Sequence, residues 1–170
     1  MRSLLPAALT GLLTAPAIAG DMTVKVEIPR LDVAEYHRPY VALWIERPDQ
    51  SVAANLAVWY DLKLKDKEGT KWLKDLRQWW RKSGRELDMP VDGISGATRP
   101  PGEHQLGAGS VTPVLAKLPA GEYRLVIEAA REVGGREILR VPFQWPPTEA
   151  RNAAAKGEHE LGAVTLELKP

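Results

Sequence analysis

One stretch of the sequence combines residue types that suit the covalent modification of a hydroxyl group. Asp92 to Thr98 reads Asp-Gly-Ile-Ser-Gly-Ala-Thr, so a threonine hydroxyl follows small residues that leave space around it. Its glycines let the backbone turn and approach a bulky group closely. Pro100 favours an extended backbone at Arg99, which keeps Thr98 presented and the guanidinium able to pair with a phosphate.

The segment resembles the acceptor motif Asp-x-x-(Ser/Thr)-Gly-Ala-(Ser/Thr) of exported proteins that receive FMN from a periplasmic flavin transferase. In that family the FMN phosphate is esterified to the last hydroxyl residue, so the resemblance implies Thr98 as the attachment site. It implies that the transferase reads Asp92, Ser95, Gly96 and Ala97. An unaided threonine hydroxyl is a poor nucleophile. The base and the metal ion for phosphoryl transfer are therefore expected from the transferase, with this chain as its substrate.

The resemblance also implies a function. We expect a periplasmic electron-transfer protein whose covalent FMN exchanges electrons with a membrane-bound reductase and with another extracytoplasmic carrier. The flavin would supply the redox chemistry and the protein its tethering and burial. The layout of a small exported β domain with a Trp-rich middle is also similar to an uncharacterised periplasmic domain family found with flavin transferases and PepSY-type membrane proteins.

Other interpretations of the same residues stay open. Asp92 and Gly93 are common turn residues, and a polar surface loop without chemistry would contain them too. The chain would then be a cofactor-free accessory or binding domain of a membrane complex. Trp72, Trp79 and Trp80 either cover the flavin ring or pack on a sheet without any ligand.

Few other chemistries fit this composition. The chain has no cysteine, which excludes disulfides and thiolate sites. Its three histidines, His37, His104 and His159, form no pair at metal-ligand spacing, so we expect neither a metal site nor a self-contained enzyme. The net charge of +1 gives no reason to expect nucleic-acid binding. A basic run over residues 63–85 is either a solvated face or a docking site for an anion.

The N-terminus predicts export. Arg2, an apolar stretch from Leu4 to Ala15, and the triplet Ala17-Ile18-Ala19 form the pattern of a signal peptide cleaved before Gly20. The apolar stretch is too short to cross a bilayer core of roughly 30 Å. Residues 1–19 are thus predicted to be a signal peptide, and residues 20–170 a single periplasmic domain.

Most of that domain is predicted to be strand. Short apolar runs alternate with Pro and Gly punctuation, which favours a mainly β, antiparallel sandwich of immunoglobulin-like outline. We expect strands over residues 23–28, 40–46, 56–64, 122–130, 136–145 and 161–168, and one more over 111–118. Gly134-Gly135 is expected to take the positive φ angles of a tight hairpin. Trp44, Trp59 and Trp145 are expected in the core.

One segment departs from the strand pattern. Trp72, Leu73, Leu76, Trp79 and Trp80 recur at helical spacing, which predicts one amphipathic helix over residues 71–82 with its tryptophans packed inward. No regular element is expected from Ser83 to Ser110. A loop of that length in a compact domain is usually functional or disordered, and it contains the acceptor motif.

Overall fold

The structure, a computed structural model, describes residues 20–170 and is a mainly β sandwich, as predicted. The predicted signal peptide, residues 1–19, lies outside the described residues. Residues 20–170 form nine strands: β1 (Asp21–Ile28), β2 (Tyr40–Glu46), β3 (Val52–Tyr60), β4 (Ser95–Ala97), β5 (Gly102–Gln105), β6 (Gly121–Ala130), β7 (Arg136–Trp145), β8 (Arg151–Lys156) and β9 (Ala163–Lys169). They form a four-stranded sheet in the order β5-β1-β9-β8 and a five-stranded sheet in the order β4-β3-β2-β6-β7.

The main core lies between the two sheets. Alternate residues of β1 and β9 point inward, so both strands read apolar-polar along their length. The five-stranded sheet contributes alternate residues of β2 and β6, and Tyr123, Leu125 and Ile127 share one face as the sequence predicts. Trp59 and Trp145 are buried in this core.

A second core covers the outer face of the five-stranded sheet. β2 is buried along its whole length because each of its faces packs on a layer, and Trp44 belongs to this outer core. The covering layer comes from the Trp-rich segment, which buries Leu73, Leu76 and Trp79. The protein therefore has three layers, which are the two sheets and the Trp-rich segment. The sequence predicts the two sheets and a helix but not that this segment covers a second core.

The Trp-rich segment is not the single helix that its spacing predicts. 3-10 turns run over Lys65–Asp75, with a break where Asp66 and Lys67 have φ angles of 52° and 56°, and α1 follows over Arg77–Lys82. The backbone changes from 3-10 to α geometry at Leu76, so side chains before and after this residue do not follow one helical face. Trp79 is fully buried, whereas Trp72 is 51% exposed, so the prediction that all the tryptophans point inward is wrong for Trp72.

Buried carboxylates hold this layer on the sheet. Glu128 of β6 accepts hydrogen bonds from the amides of Gln78 and Trp79 at 3.1 and 2.8 Å, which places a negative charge at the start of α1. Arg136 pairs with the same carboxylate at 2.9 Å. The layer is therefore joined to the sheet by charged as well as apolar contacts.

The region predicted to be a long loop contains short regular elements. A 3-10 turn (Gly84–Glu86), β4, β5 and the start of α2 (Ala108–Leu115) all fall between residues 83 and 110. The expected strand over 111–118 is wrong, because Val111 and Leu115 instead pack one face of α2 on the main core. β8 was not foreseen, since its Arg-Asn-Ala-Ala-Ala-Lys sequence has low strand propensity.

The hairpin between β6 and β7 also differs from expectation. Gly134 and Gly135 do not take positive φ; Val133 does, at 52°. The glycines are needed for close approach instead. A Cβ at Gly134 would lie 2.5 Å from Cζ of Arg131, and one at Gly135 would lie 2.9 Å from Oε1 of Glu160.

Candidate functional site

The acceptor motif lies on the edge of the five-stranded sheet. β4 pairs in parallel with β3, so that Ser95, Gly96 and Ala97 face Val58, Trp59 and Tyr60. The amide of Thr98 continues the ladder by donating to the carbonyl of Tyr60 at 3.2 Å. Thr98 is therefore held by backbone pairing and is not part of a free loop.

The turn before β4 is fixed by the motif's own polar atoms. Gly93 has a φ of 82°, a conformation that favours glycine. The amide of Val91 donates to the hydroxyl of Ser95 at 2.8 Å, and the amide of Ser95 donates back to the carbonyl of Val91 at 3.0 Å. Asp92 stays exposed at the tip. Ser95 thus has a structural role, while Asp92 is accessible to a partner.

Arg99 lies over an aromatic ring of the core. Its guanidinium carbon is 5.2 Å from the ring centroid of Trp59, a cation–π contact. His104 meets the same ring edge-on at 6.1 Å. In this arrangement the guanidinium of Arg99 borders Gly96 and not the clefts that Thr98 lines, so its predicted contact with a phosphate stays a prediction.

Thr98 lines a cleft of about 590 Å³, here called the Thr98 cleft. Its walls come from the segment before β2, the start of the 3-10 region and the β6–β7 turn. Three of the four large apolar side chains that are well exposed among the described residues border it: Leu64 (45%), Trp72 (51%) and Val133 (73%). The volume is in the range of small-molecule sites, and the lining inside the apolar border is mostly polar.

A second groove of about 330 Å³ adjoins the cleft at Thr98. The two share Arg38, Asp61, Leu64 and Thr98, and the groove adds Lys63. Two cationic side chains therefore lie on the same surface as the threonine. Lys63 is the first residue of the basic run, whereas Arg38 was not singled out from the sequence.

Two tyrosines beside the motif are kept neutral by their surroundings. Burial raises the pKa of Tyr40, whose hydroxyl donates to the carbonyl of Gly69 at 3.1 Å and lies 3.4 Å from a carboxylate oxygen of Asp61. Burial also raises the pKa of Tyr60, and a contact with Ser95 opposes that effect. Neither phenol is a candidate base for the threonine.

The far wall of the cleft contains a buried ion pair. Nε and Nη2 of Arg131 donate to Glu160 at 2.8 and 3.1 Å, and the two side chains are 6% and 5% exposed. Nη1 of Arg131 has no hydrogen-bond partner within residues 20–170, and neither has the buried hydroxyl of Tyr36, which lines the same cleft.

Of the predicted site residues, only Thr98 lines this cleft. The cleft is also lined by Tyr36, Arg38, Trp72 and Arg131, which come from distant parts of the chain. Their positions in the sequence show no regular spacing, because strand pairing and the path of the 3-10 region bring them together. The described residues contain no group of three His, Cys, Asp or Glu side chains arranged to hold a metal ion.

Comparison with known proteins gives one match. A family described as "Predicted periplasmic protein (DUF2271)" matches residues 21–163. Neither the curated proteins nor the solved structures give a significant match. Across residues 20–170, every helix is too short or too polar to cross a bilayer.

Proposed function

We propose that this chain, which belongs to the DUF2271 family of predicted periplasmic proteins, is an electron-transfer protein that carries FMN on Thr98. One observation carries the proposal. Thr98, the last residue of the acceptor motif, lies where the 590 Å³ cleft with its apolar border meets the groove that contains Arg38 and Lys63.

The residues present fit the two chemically different parts of FMN. A phosphodiester at Thr98 would lie on the surface that Arg38 and Lys63 share with it, and these side chains would balance its negative charge. A flat aromatic ring system suits the cleft, where half-exposed Trp72 offers an indole face. When bound, the flavin supplies one- and two-electron redox chemistry, and the protein supplies position and burial.

Attachment requires a transferase and a flavin dinucleotide as the donor. The Oγ of Thr98 forms a bond to the flavin-side phosphorus, the pyrophosphate P–O bond breaks, and adenylate leaves. The hydroxyl proton passes to a base of the transferase, since the tyrosines near Thr98 are held neutral by burial. Exposed Asp92 at the turn is accessible for recognition by that enzyme.

The remaining partners follow from the same proposal. A membrane-bound reductase or a PepSY-type protein would deliver electrons, and a second extracytoplasmic carrier would remove them. The exposed apolar border of the cleft leaves one side of a bound ring accessible to such partners.

Coexpression with a periplasmic flavin transferase tests the proposal. The intact mass of the denatured protein should rise by one FMN less water, and fragmentation should place the addition on Thr98. Thr98→Ala should abolish the adduct while the protein stays folded, and Thr98→Ser should retain part of it because the hydroxyl remains. Asp92→Ala should slow the transfer without removing the acceptor atom.

Thr112→Ala provides the matched control, since Thr112 is an exposed threonine outside the motif and its loss should leave the adduct unchanged. Covalent flavin on the Thr98→Ala protein would show that the attachment site is wrong. A wild-type protein that never acquires flavin would instead support a cofactor-free accessory domain.

A further inference from the structure

Two residues that line the Thr98 cleft have buried polar atoms that residues 20–170 leave without a hydrogen-bond partner. Among the described residues, five buried side-chain atoms have no hydrogen-bond partner, and two of them, Nη1 of Arg131 and the hydroxyl of Tyr36, belong to residues lining this cleft. Buried donors are almost always paired in folded proteins, because an unpaired one loses its water without compensation. Because Tyr36 and Arg131 both line the Thr98 cleft, their buried atoms are candidate donors to a ligand that supplies acceptors.

The side chain of Arg131 is fixed by its contacts, so its Nη1 cannot rotate toward another acceptor. Glu160 binds the other two nitrogens, and the amide of Gly135 donates to the same carboxylate at 2.8 Å. Gly134 packs directly on the guanidinium, where a Cβ would lie 2.5 Å from Cζ. The side chain is 6% exposed, so its geometry is set before any ligand arrives.

The charge of Arg131 is already balanced by Glu160. The pair is neutral as a unit, so Nη1 acts as a directional hydrogen-bond donor and not as a free cation. A neutral carbonyl oxygen suits such a donor better than a phosphate does. Two other cationic side chains, Arg38 and Lys63, line the groove that contains Thr98.

Val133, at the border of the cleft, has an unusual backbone conformation. A β-branched residue with a φ of 52° is strained, and this one also leaves 73% of its side chain exposed. Strained residues concentrate at functional sites. The β6–β7 turn thus places an apolar side chain at the border and a polar donor in the wall.

From this arrangement we propose that Arg131 and Tyr36 bind the carbonyl-bearing edge of the flavin ring system. The inference rests on the proposed flavin function and deepens it. The pyrimidine end of the ring carries two carbonyl acceptors and would face the two donors. The opposite, methyl-substituted end would then lie at the apolar border formed by Leu64, Trp72 and Val133, where a redox partner can reach it.

Riboflavin, which contains the ring but no phosphate, tests this inference without any transferase. Unmodified protein should quench riboflavin fluorescence on binding. Tyr36→Phe should weaken that binding about fivefold, as expected for one lost hydrogen bond to a neutral acceptor. The same variant should unfold at an unchanged or higher temperature, because the substitution removes a buried unpaired hydroxyl from the free protein. A purely structural tyrosine would not give this combination.

Tyr123→Phe is the matched control. Its hydroxyl donates to the carbonyl of Pro119 at 2.8 Å and does not line the cleft, so its loss should not change riboflavin binding. Arg131→Lys should weaken riboflavin binding more than Tyr36→Phe does. Because it also disturbs the ion pair with Glu160, the Tyr36→Phe variant is the decisive test of the inference.

Two results would overturn the inference: wild-type protein that does not bind riboflavin, or equal affinity in wild type and Tyr36→Phe. Both are distinct from failure of the proposed function, which is a missing mass adduct at Thr98. Binding that depends on Tyr36 in a protein that never becomes flavinylated would confirm Tyr36 as a donor and refute covalent attachment.

Discussion

Gly96 and Trp59 lie side by side on the β3–β4 ladder, and a Cβ at position 96 would come 3.3 Å from Cδ1 of Trp59. The glycine of the acceptor motif is therefore also a packing residue against the main core. Gly96→Val should destabilise the fold by about 1–3 kcal/mol, because the buried indole must move. Urea unfolding measures the loss.

Gly107→Val serves as the control for that experiment. Gly107 has φ −67° and ψ 145°, which a valine adopts without strain, and a Cβ there would meet nothing within 4 Å. Because Gly107 is the N-cap residue of α2, where glycine is preferred to valine, its change in the free energy of unfolding should be a loss of at most about 1 kcal/mol. Equal losses at the two positions would mean that the contact with Trp59 is unimportant.

Trp72 and Trp79 should respond differently to truncation. Trp79 is fully buried, and its indole N–H donates to Asn55 at 2.9 Å, so Trp79→Ala should cost about 3–5 kcal/mol. Trp72 is half-exposed at the cleft, and Trp72→Ala should cost less than about 1 kcal/mol. Urea unfolding compares the two variants. In the flavinylated protein, Trp72→Ala should also increase flavin fluorescence, and a large loss of stability there would place Trp72 in the core instead.

Glu137 should make the stability depend on acid pH. Partial burial alone would raise its pKa, but four consecutive amides, those of residues 158–161, donate to its carboxylate and lower the pKa below its usual range. A lowered folded-state pKa contributes stability above the unfolded-state value, and that contribution is lost as the pH falls through the folded-state pKa. Glu137→Gln should therefore melt at a lower temperature than wild type at neutral pH.

The melting temperatures of the two proteins should converge as the pH falls from the unfolded-state pKa through the lowered folded-state pKa, where the wild-type carboxylate becomes protonated. Glu122→Gln, a change at an exposed glutamate on the neighbouring strand, should follow the wild type throughout. A constant difference between Glu137→Gln and wild type at every pH would show that the carboxylate's charge does not matter.

Signal peptidase should cut between Ala19 and Gly20. Gly20 immediately precedes β1, and a Cβ there would lie 2.7 Å from the indole of Trp145, so this residue packs tightly in the fold. Intact-mass measurement or N-terminal sequencing of protein from the periplasm checks the position. A chain that still begins at Met1 would contradict both the predicted export and the flavin proposal.

The sheets could be predicted because their strands repeat every two residues. β1, β2, β6 and β7 each begin and end within two residues of the expectation. The Trp-rich segment could not be predicted at the same level, because apolar residues at helical spacing do not reveal a break between 3-10 and α geometry. The change of geometry at Leu76 lies between half-exposed Trp72, which lines the cleft, and Trp79, which is buried in the outer core.

The site was predictable only where it is local. Asp92 to Thr98 is a continuous motif, so it could be recognised without a structure. The pairing of Ser95–Ala97 with β3 could not be predicted from the sequence, since Ser-Gly-Ala lacks the β-branched and aromatic residues typical of strands. Arg131 and Tyr36 gave no signal either, because their lack of partners is a property of the packed protein.

The position of β1 has a consequence for the order of folding. β1 lies at the centre of the four-stranded sheet, and Asp21 at its start pairs with Lys169 near the end of the chain. A chain that emerges from its N-terminus therefore leaves one edge of β1 without its backbone hydrogen bonds until Ala163–Lys169 becomes available. Contacts between such distant segments form slowly. Completion of this sheet follows the release of the last strand and cannot precede it.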